Sequence, residues 1–138
     1  QEARDAGAQF AVSPGCTPRL VAAAEDAKMP FLPGVMTPSE VLVALEYGYR
    51  SLKLFPADGN AAIKMLKSLK APFSGIRFCP TGGITQENLL NVLRLPNVAC
   101  VGGTWIAPPS LVRARAWDQI TQLAIEAREL AASLEHSS

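Results

Sequence analysis

The chain holds a single histidine, His136, and only three cysteines, Cys16, Cys79 and Cys100, with no Cys-x-x-Cys spacing. A zinc site built from thiolates and imidazoles at short intervals is therefore not expected. The odd cysteine count, with Cys79 and Cys100 inside apolar runs, suits free thiols packed as small hydrophobes in a reducing, cytosolic setting. No apolar run approaches the roughly 20 residues of a membrane helix. Charge is balanced, 13 basic residues against 12 acidic, and no basic stripe alternates with aromatics, so neither nucleic acid nor a membrane is expected as a partner. The opening Gln1-Glu2-Ala3-Arg4-Asp5 is charged and helix-prone, unlike a secretory leader. Against these absences stands a hydrophobic content of 49% in 138 residues, enough for one domain over residues 1–138 with a packed core.

Strand-like and helix-like patterns alternate. Strand patterns begin near Gln9, Pro30, Ser51, Ile76 and Asn97, separated by 21, 21, 25 and 21 residues. Each interval holds one strand, a short loop and about three helical turns. Such regular alternation predicts parallel strands joined by right-handed crossovers. The strands end in Ser13-Pro14-Gly15, Leu32-Pro33-Gly34, Phe55-Pro56, Pro80-Thr81-Gly82-Gly83 and Gly102-Gly103, residues that break a strand and open a loop. Thr17-Pro18 and Thr37-Pro38 each place a capping threonine before a proline at the first helical position. Thr85 through Asn88 can cap a further helix. The helix near residues 38–47 is expected to bury Val41, Leu42 and Leu45. The last, near residues 117–134, carries an apolar stripe of Trp117, Ile120, Leu123, Ala127, Leu130 and Leu134.

The third strand, around Arg50-Ser51-Leu52-Lys53-Leu54-Phe55-Pro56-Ala57-Asp58, sets a lysine inside an apolar run and reads as a strand buried on both faces. Lysine is seldom buried without a reason. Low dielectric disfavours an ammonium, and a desolvated neutral amine attacks carbonyls to give Schiff bases. A strand lysine whose long stem reaches solvent is the alternative.

Four stretches follow one another in order: Gly7-Ala8-Gln9-Phe10-Ala11-Val12-Ser13-Pro14-Gly15, Leu52-Lys53-Leu54-Phe55-Pro56-Ala57, Arg77-Phe78-Cys79-Pro80-Thr81-Gly82-Gly83-Ile84 and Val101-Gly102-Gly103-Thr104-Trp105. Together they resemble the 2-keto-3-deoxy-6-phosphogluconate (KDPG) aldolases, the class I aldolases of the Entner–Doudoroff pathway, from about residue 6 to about residue 131. The resemblance implies an α/β fold, a TIM-type (βα)8 barrel. The motifs match its strands four to eight, so the chain is expected to be an incomplete barrel of about five parallel βα units, the C-terminal portion of a longer protein. A five-stranded doubly wound sheet is the alternative.

The resemblance also assigns roles at the carboxyl ends of the strands, where such barrels keep their active sites. Lys53 forms the Schiff base with pyruvate. Pro14 and Phe55 line the substrate, and Thr81 lies at its pyruvyl end. Gly82, Gly83, Gly102, Gly103 and Thr104 hold the substrate phosphate, for which glycines allow close backbone approach. Taken singly, each Gly-Gly is also a plain turn, Pro14 a strand stop and Phe55 a core aromatic. The family's general base, and the arginine and threonine that grip the pyruvyl carboxylate, lie on strands with no counterpart here. Asp58, near a strand end, is not a position that the family uses as base.

The implied reaction is cleavage of KDPG to pyruvate and glyceraldehyde 3-phosphate, with 4-hydroxy-2-oxoglutarate as a further substrate and a galactonate-pathway relative sharing the lysine strand. No metal or organic cofactor is implied, and the implied assembly is a homotrimer. Two alternatives remain: a phosphate-binding barrel isomerase or synthase resembling thiamine-phosphate synthase, and a non-catalytic fragment that needs its N-terminal part.

Overall fold

A computed structural model describes residues 1–134, and His136 lies outside the described residues. The helices are α1 (Glu2–Asp5), α2 (Pro18–Asp26), α3 (Pro38–Glu46), α4 (Gly59–Lys70), α5 (Leu89–Leu93), α6 (Pro109–Arg113) and α7 (Trp117–Ala132), with a 3-10 turn at Thr104–Ile106. The strands are β1 (Ala11–Val12), β2 (Phe31–Leu32), β3 (Gly34–Val35), β4 (Ser51–Leu54) and β5 (Arg77–Pro80). The helix starts follow the expected chemistry. Thr17 accepts from the Leu20 amide at 3.3 Å, and Thr37 forms a full capping box with Glu40. Thr85 and Asn88 bond each other's amides reciprocally just before α5.

All strand pairs are parallel. β1 pairs with β2, β3 with β4, and β4 with β5. The expected fifth strand is reduced to two isolated bridges, Phe78 to Val98 and Thr81 to Gly102. Residues 97–102 nevertheless lie along β5, since the Phe78 and Gly102 amides donate to Asn97 and Pro80 carbonyls at 2.8 and 3.0 Å.

β2 ends at Leu32-Pro33-Gly34 as the sequence suggests, but no loop opens there and the chain resumes at once as β3. Proline cannot donate, but its carbonyl still accepts. Pro30 and Leu32 carbonyls take the Ala11 and Ser13 amides on one side. Pro33 and Val35 carbonyls take the Lys53 and Phe55 amides on the other. Residues 30–35 thus hand the pairing over from β1 to β4 across Pro33. The strands then follow chain order without reversal, whereas a doubly wound sheet reverses at a switch point. That alternative is set aside, and the described residues form parallel sheet without a closed barrel.

The helices cover one face. Leu52, Leu54 and Phe78 are fully buried there with Val41 and Ala44 of α3, Leu66 and Leu69 of α4, and Leu89 and Val92 of α5. β4 is consequently not buried on both faces: Leu52 and Leu54 point into the core, while Lys53 points to the other side and is only half-buried. Leu42 is 54% exposed, because the inward stripe of α3 runs through Val41 and Ala44 and position 42 is a further turn of about 100° round the helix. Trp117 is 56% exposed at the start of α7 rather than part of its inward stripe.

Within the cluster, the first residue in chain order is Val35, and among the described residues none before it belongs.

Candidate active site

The carboxyl ends of β3, β4, β5 and residues 97–102 place the candidate residues in one row. Register fixes its centre: Lys53 of β4 is level with Gly34 of β3 on one side and Cys79 of β5 on the other. In a parallel pair, residues at one level point to the same face. Phe55, two positions beyond Lys53, shares that face as expected, and its ring centroid lies 4.7 Å from the Lys53 Nζ. A cation at that distance is attracted by the ring face, which gives the amine a preferred position.

Pro14 enters the row through its backbone. Gly34 packs so closely on it that an added Cβ would lie 2.2 Å from the Pro14 carbonyl carbon. The end of β1 therefore abuts the residue paired with Lys53. Pro14 was expected as a residue lining the substrate, not as a packing partner of Gly34. Gly34 was missed, although a glycine directly after a proline in an apolar run is the available signal for close backbone approach.

The glycine pairs divide into two kinds. Gly82 and Gly83 have φ of +77° and +116°, the left-handed region that only glycine occupies readily. A Cβ on Gly82 would meet the Phe55 ring at 2.7 Å, and one on Gly83 the Ala57 carbonyl oxygen at 2.7 Å and the Asp58 Cα at 2.8 Å. Their amides have no acceptor among the described residues. Asn88 steadies the turn by donating to the Gly83 carbonyl at 2.9 Å. Gly102 and Gly103, by contrast, have no positive φ. Gly102 is pressed against the Thr81 methyl at 2.8 Å, and Gly103 is covered by the Trp105 ring, which would overlap any Cβ. Thr104 is exposed at the start of the 3-10 turn.

Thr81 bridges the two loops. Its backbone pairs with Gly102, its carbonyl accepts from Ala57 at 2.8 Å, and its Oγ1 is buried with no hydrogen-bond partner. A buried unpaired hydroxyl is uncommon.

Sequence reasoning also missed the two thiols. Cys79 flanks Lys53, and its thiol is pushed up to about 12, first by burial, then by the neighbouring Cys100, with Lys53 opposing. Spacing alone does not reveal such a neighbour, because register between strands is a matter of single residues. Among the described residues no group of three His, Cys, Asp or Glu is placed to hold a metal ion, and no helix is long and apolar enough to cross a membrane.

Comparison with known proteins matches this geometry to one family. The sequence model for the KDPG and KHG aldolases matches residues 1–123. The KHG/KDPG aldolase of Escherichia coli K12 is 45% identical over 128 residues, 93% of this chain and 60% of that protein. The 2-dehydro-3-deoxy-phosphogluconate aldolase of Pseudomonas aeruginosa is 48% identical over 127 residues, 92% of this chain and 58% of that protein. The crystal structure of a Legionella pneumophila KDPG aldolase, with pyruvate captured at low pH as a covalent carbinolamine intermediate, superposes with a TM-score of 0.83 at 44% identity, covering 90% of this chain and 60% of that one. The chain thus spans about 60% of the length of the curated relatives it matches.

Proposed function

The chain belongs to the KDPG and KHG aldolase family, and from that premise we propose that its protein is a class I aldolase cleaving KDPG to pyruvate and glyceraldehyde 3-phosphate through an imine at Lys53. The row that centres on Lys53 supports this reading. The amine stands at a strand end, held beside the Phe55 ring, with two glycine loops one and two strands away.

The chemistry follows from the parts. The neutral Lys53 amine adds to the substrate keto carbon, and loss of water gives the imine. Once protonated, the imine draws electrons as the carbon–carbon bond breaks, and the enamine of pyruvate remains on Lys53. The unpaired amides of Gly82 and Gly83 suit the phosphate oxyanions, with Gly102, Gly103 and the Thr104 hydroxyl on the neighbouring loop. The orphaned Thr81 hydroxyl suits the pyruvyl end, and Pro14 the wall beyond Gly34. The proton relay is assigned to no residue of this chain. The mechanism calls for no metal or organic cofactor, since the lysine is the electron sink.

The finer architecture is part of the same proposal: one domain, in which these parallel βα units form the C-terminal part of a TIM-type (βα)8 barrel, in a cytoplasmic homotrimer. Chain-order strands without reversal favour a barrel, and the E. coli relative is longer than the matched segment.

Borohydride reduction in the presence of pyruvate tests the central step. The pyruvyl mass is expected on the peptide carrying Lys53 and is expected to vanish in Lys53→Arg. Label on another residue overturns the role of Lys53, and no label at all overturns the Schiff-base reading and favours a phosphate-binding isomerase or synthase.

A further inference from the structure

Cys79 and Cys100 have no part in the chemistry above, yet they sit beside its central residue. Cys79 is level with Lys53 on the next strand. Cys100 lies in the segment 97–102 that runs along β5, between the bridges Phe78 to Val98 and Thr81 to Gly102. The Ala99 amide donates to the Phe78 carbonyl at 2.9 Å and the Gly102 amide to the Pro80 carbonyl at 3.0 Å, and these two hydrogen bonds bracket the pair. Between the two bridges β5 has Cys79 and Pro80, whereas its neighbour has Ala99, Cys100 and Val101. This extra residue is a bulge, a device that re-aims a side chain. Here the extra residue sets Cys100 on the segment directly alongside Cys79. Neighbouring strands lie about 4.8 Å apart, inside the Cα separation that a disulfide accepts.

We propose that Cys79 and Cys100 form an oxidation site, at which a hydroperoxide joins the two thiols into a disulfide across β5 and residues 97–102, beside Lys53. Cys100 is exposed and meets the oxidant first. Its sulfur attacks one peroxide oxygen, the O–O bond breaks, the departing oxygen takes up the Cys100 proton, and a sulfenic acid and an alcohol (water from hydrogen peroxide) result. The Cys79 sulfur then attacks the sulfenic sulfur. The S–S bond forms, the S–O bond breaks, and the leaving hydroxide takes the Cys79 proton as water. Two thiols and one hydroperoxide thus become one disulfide and two hydroxyl products, water twice over when the oxidant is hydrogen peroxide.

The order of the steps has a physical basis. Burial is the largest cause holding the Cys79 thiol protonated, and the two that follow both come from Cys100. Cys79, the more buried thiol, therefore follows as the resolving group once Cys100 is oxidised, with Lys53 favouring its thiolate. Cys16, the third thiol, is half-buried in the loop after β1 and is not part of this pair.

The test treats the folded protein with hydrogen peroxide, blocks remaining thiols with N-ethylmaleimide and maps the peptides. Expected are a mass loss of two hydrogens, a bond linking the Cys79 and Cys100 peptides, alkylated Cys16, and reversal by dithiothreitol. Cys79→Ser and Cys100→Ser are each expected to abolish the link. In the urea-unfolded chain the preference over links to Cys16 should fall by about tenfold or more, as proximity is lost. Intermolecular dimers, links to Cys16 in the folded chain, or sulfinic acid on Cys100 with Cys79 still free would each overturn the proposal. None of these readouts depends on aldolase activity.

Discussion

At Gly34 an added methyl would stand 2.2 Å from the Pro14 carbonyl carbon, whereas at Gly75 it would meet nothing within 4 Å although φ is +96°. The two positions separate overlap from conformational strain. Gly75→Ala should lower the stability measured by urea unfolding by about 1 kcal/mol, the order of a left-handed non-glycine residue. Gly34→Ala adds an overlap with backbone that cannot swing aside, and should lose about 3 kcal/mol or more. Equal losses would show that the β1–β3 approach is looser than described. At the loops, Gly83→Val and Gly103→Val should reduce kcat/KM for the phosphorylated substrate more than for an unphosphorylated analogue in the complete protein, and equal losses on both would count against the phosphate assignment. The glycines were legible in the sequence as marks of a loop that approaches something closely. Which of them need positive φ and which face a ring was not legible, because Phe55 and Trp105 meet Gly82 and Gly103 through local geometry that spacing does not encode.

Among the elements, α3 shows how local chemistry becomes stability. The Glu40 carboxylate accepts from the Met36 and Thr37 amides at 2.8 and 2.7 Å and closes the capping box. These bonds, that of Met36 foremost, hold its carboxyl below the ordinary glutamate value, against a partial desolvation that raises it. A depressed folded value means that the contribution is present above the unfolded value and disappears as pH falls through the folded one. Thr37→Ala should destabilise by about 1 kcal/mol at neutral pH. Glu40→Gln should flatten the loss of stability that wild type shows on acidification below about pH 4; an unchanged acid limb would remove Glu40 from the account. The threonine–proline starts of α2 and α3 were readable because a cap is a matter of a few adjacent residues. Strand ends were less so. Pro33 looked like a stop, but the proline carbonyl continues the ladder toward Lys53, and the fifth strand weakens to two bridges around the bulge at residues 99–101.

For the molecule as a whole, β1 is bonded along one side only among the described residues, with Phe10 64% and Val12 46% exposed beside it. An unpaired parallel edge bearing apolar side chains invites association. The 138-residue chain on its own should therefore sediment as a concentration-dependent mixture, and Val12→Lys should shift it toward monomer without changing its helical circular dichroism. A clean monomer with full aldolase activity would contradict both this expectation and the incomplete-barrel reading. Parallel alternation and the lysine strand were legible because βα repeats and strand-end breakers leave a periodic trace. The two faces of β4 were not: an apolar run around a lysine looks the same whether its other face meets helices or lies open, and only the packing of Leu52 and Leu54 into the core decides it.

The handover at Pro33 also divides the chain in time. No buried residue ahead of Val35 belongs to the main cluster among the described residues, and β1 and α2 are joined to the remainder by a short ladder, Val21 and the close Pro14–Gly34 approach. Native-state hydrogen exchange should resolve two cooperative units, since a segment with few shared buried contacts opens on its own. The Ala11 and Ser13 amides, bonded to Pro30 and Leu32, should exchange by local opening well before those of Phe78 and Thr81. The first βα unit would then come and go against a standing remainder, exposing the Pro14 end of the Lys53 row far more often than its Thr81 end.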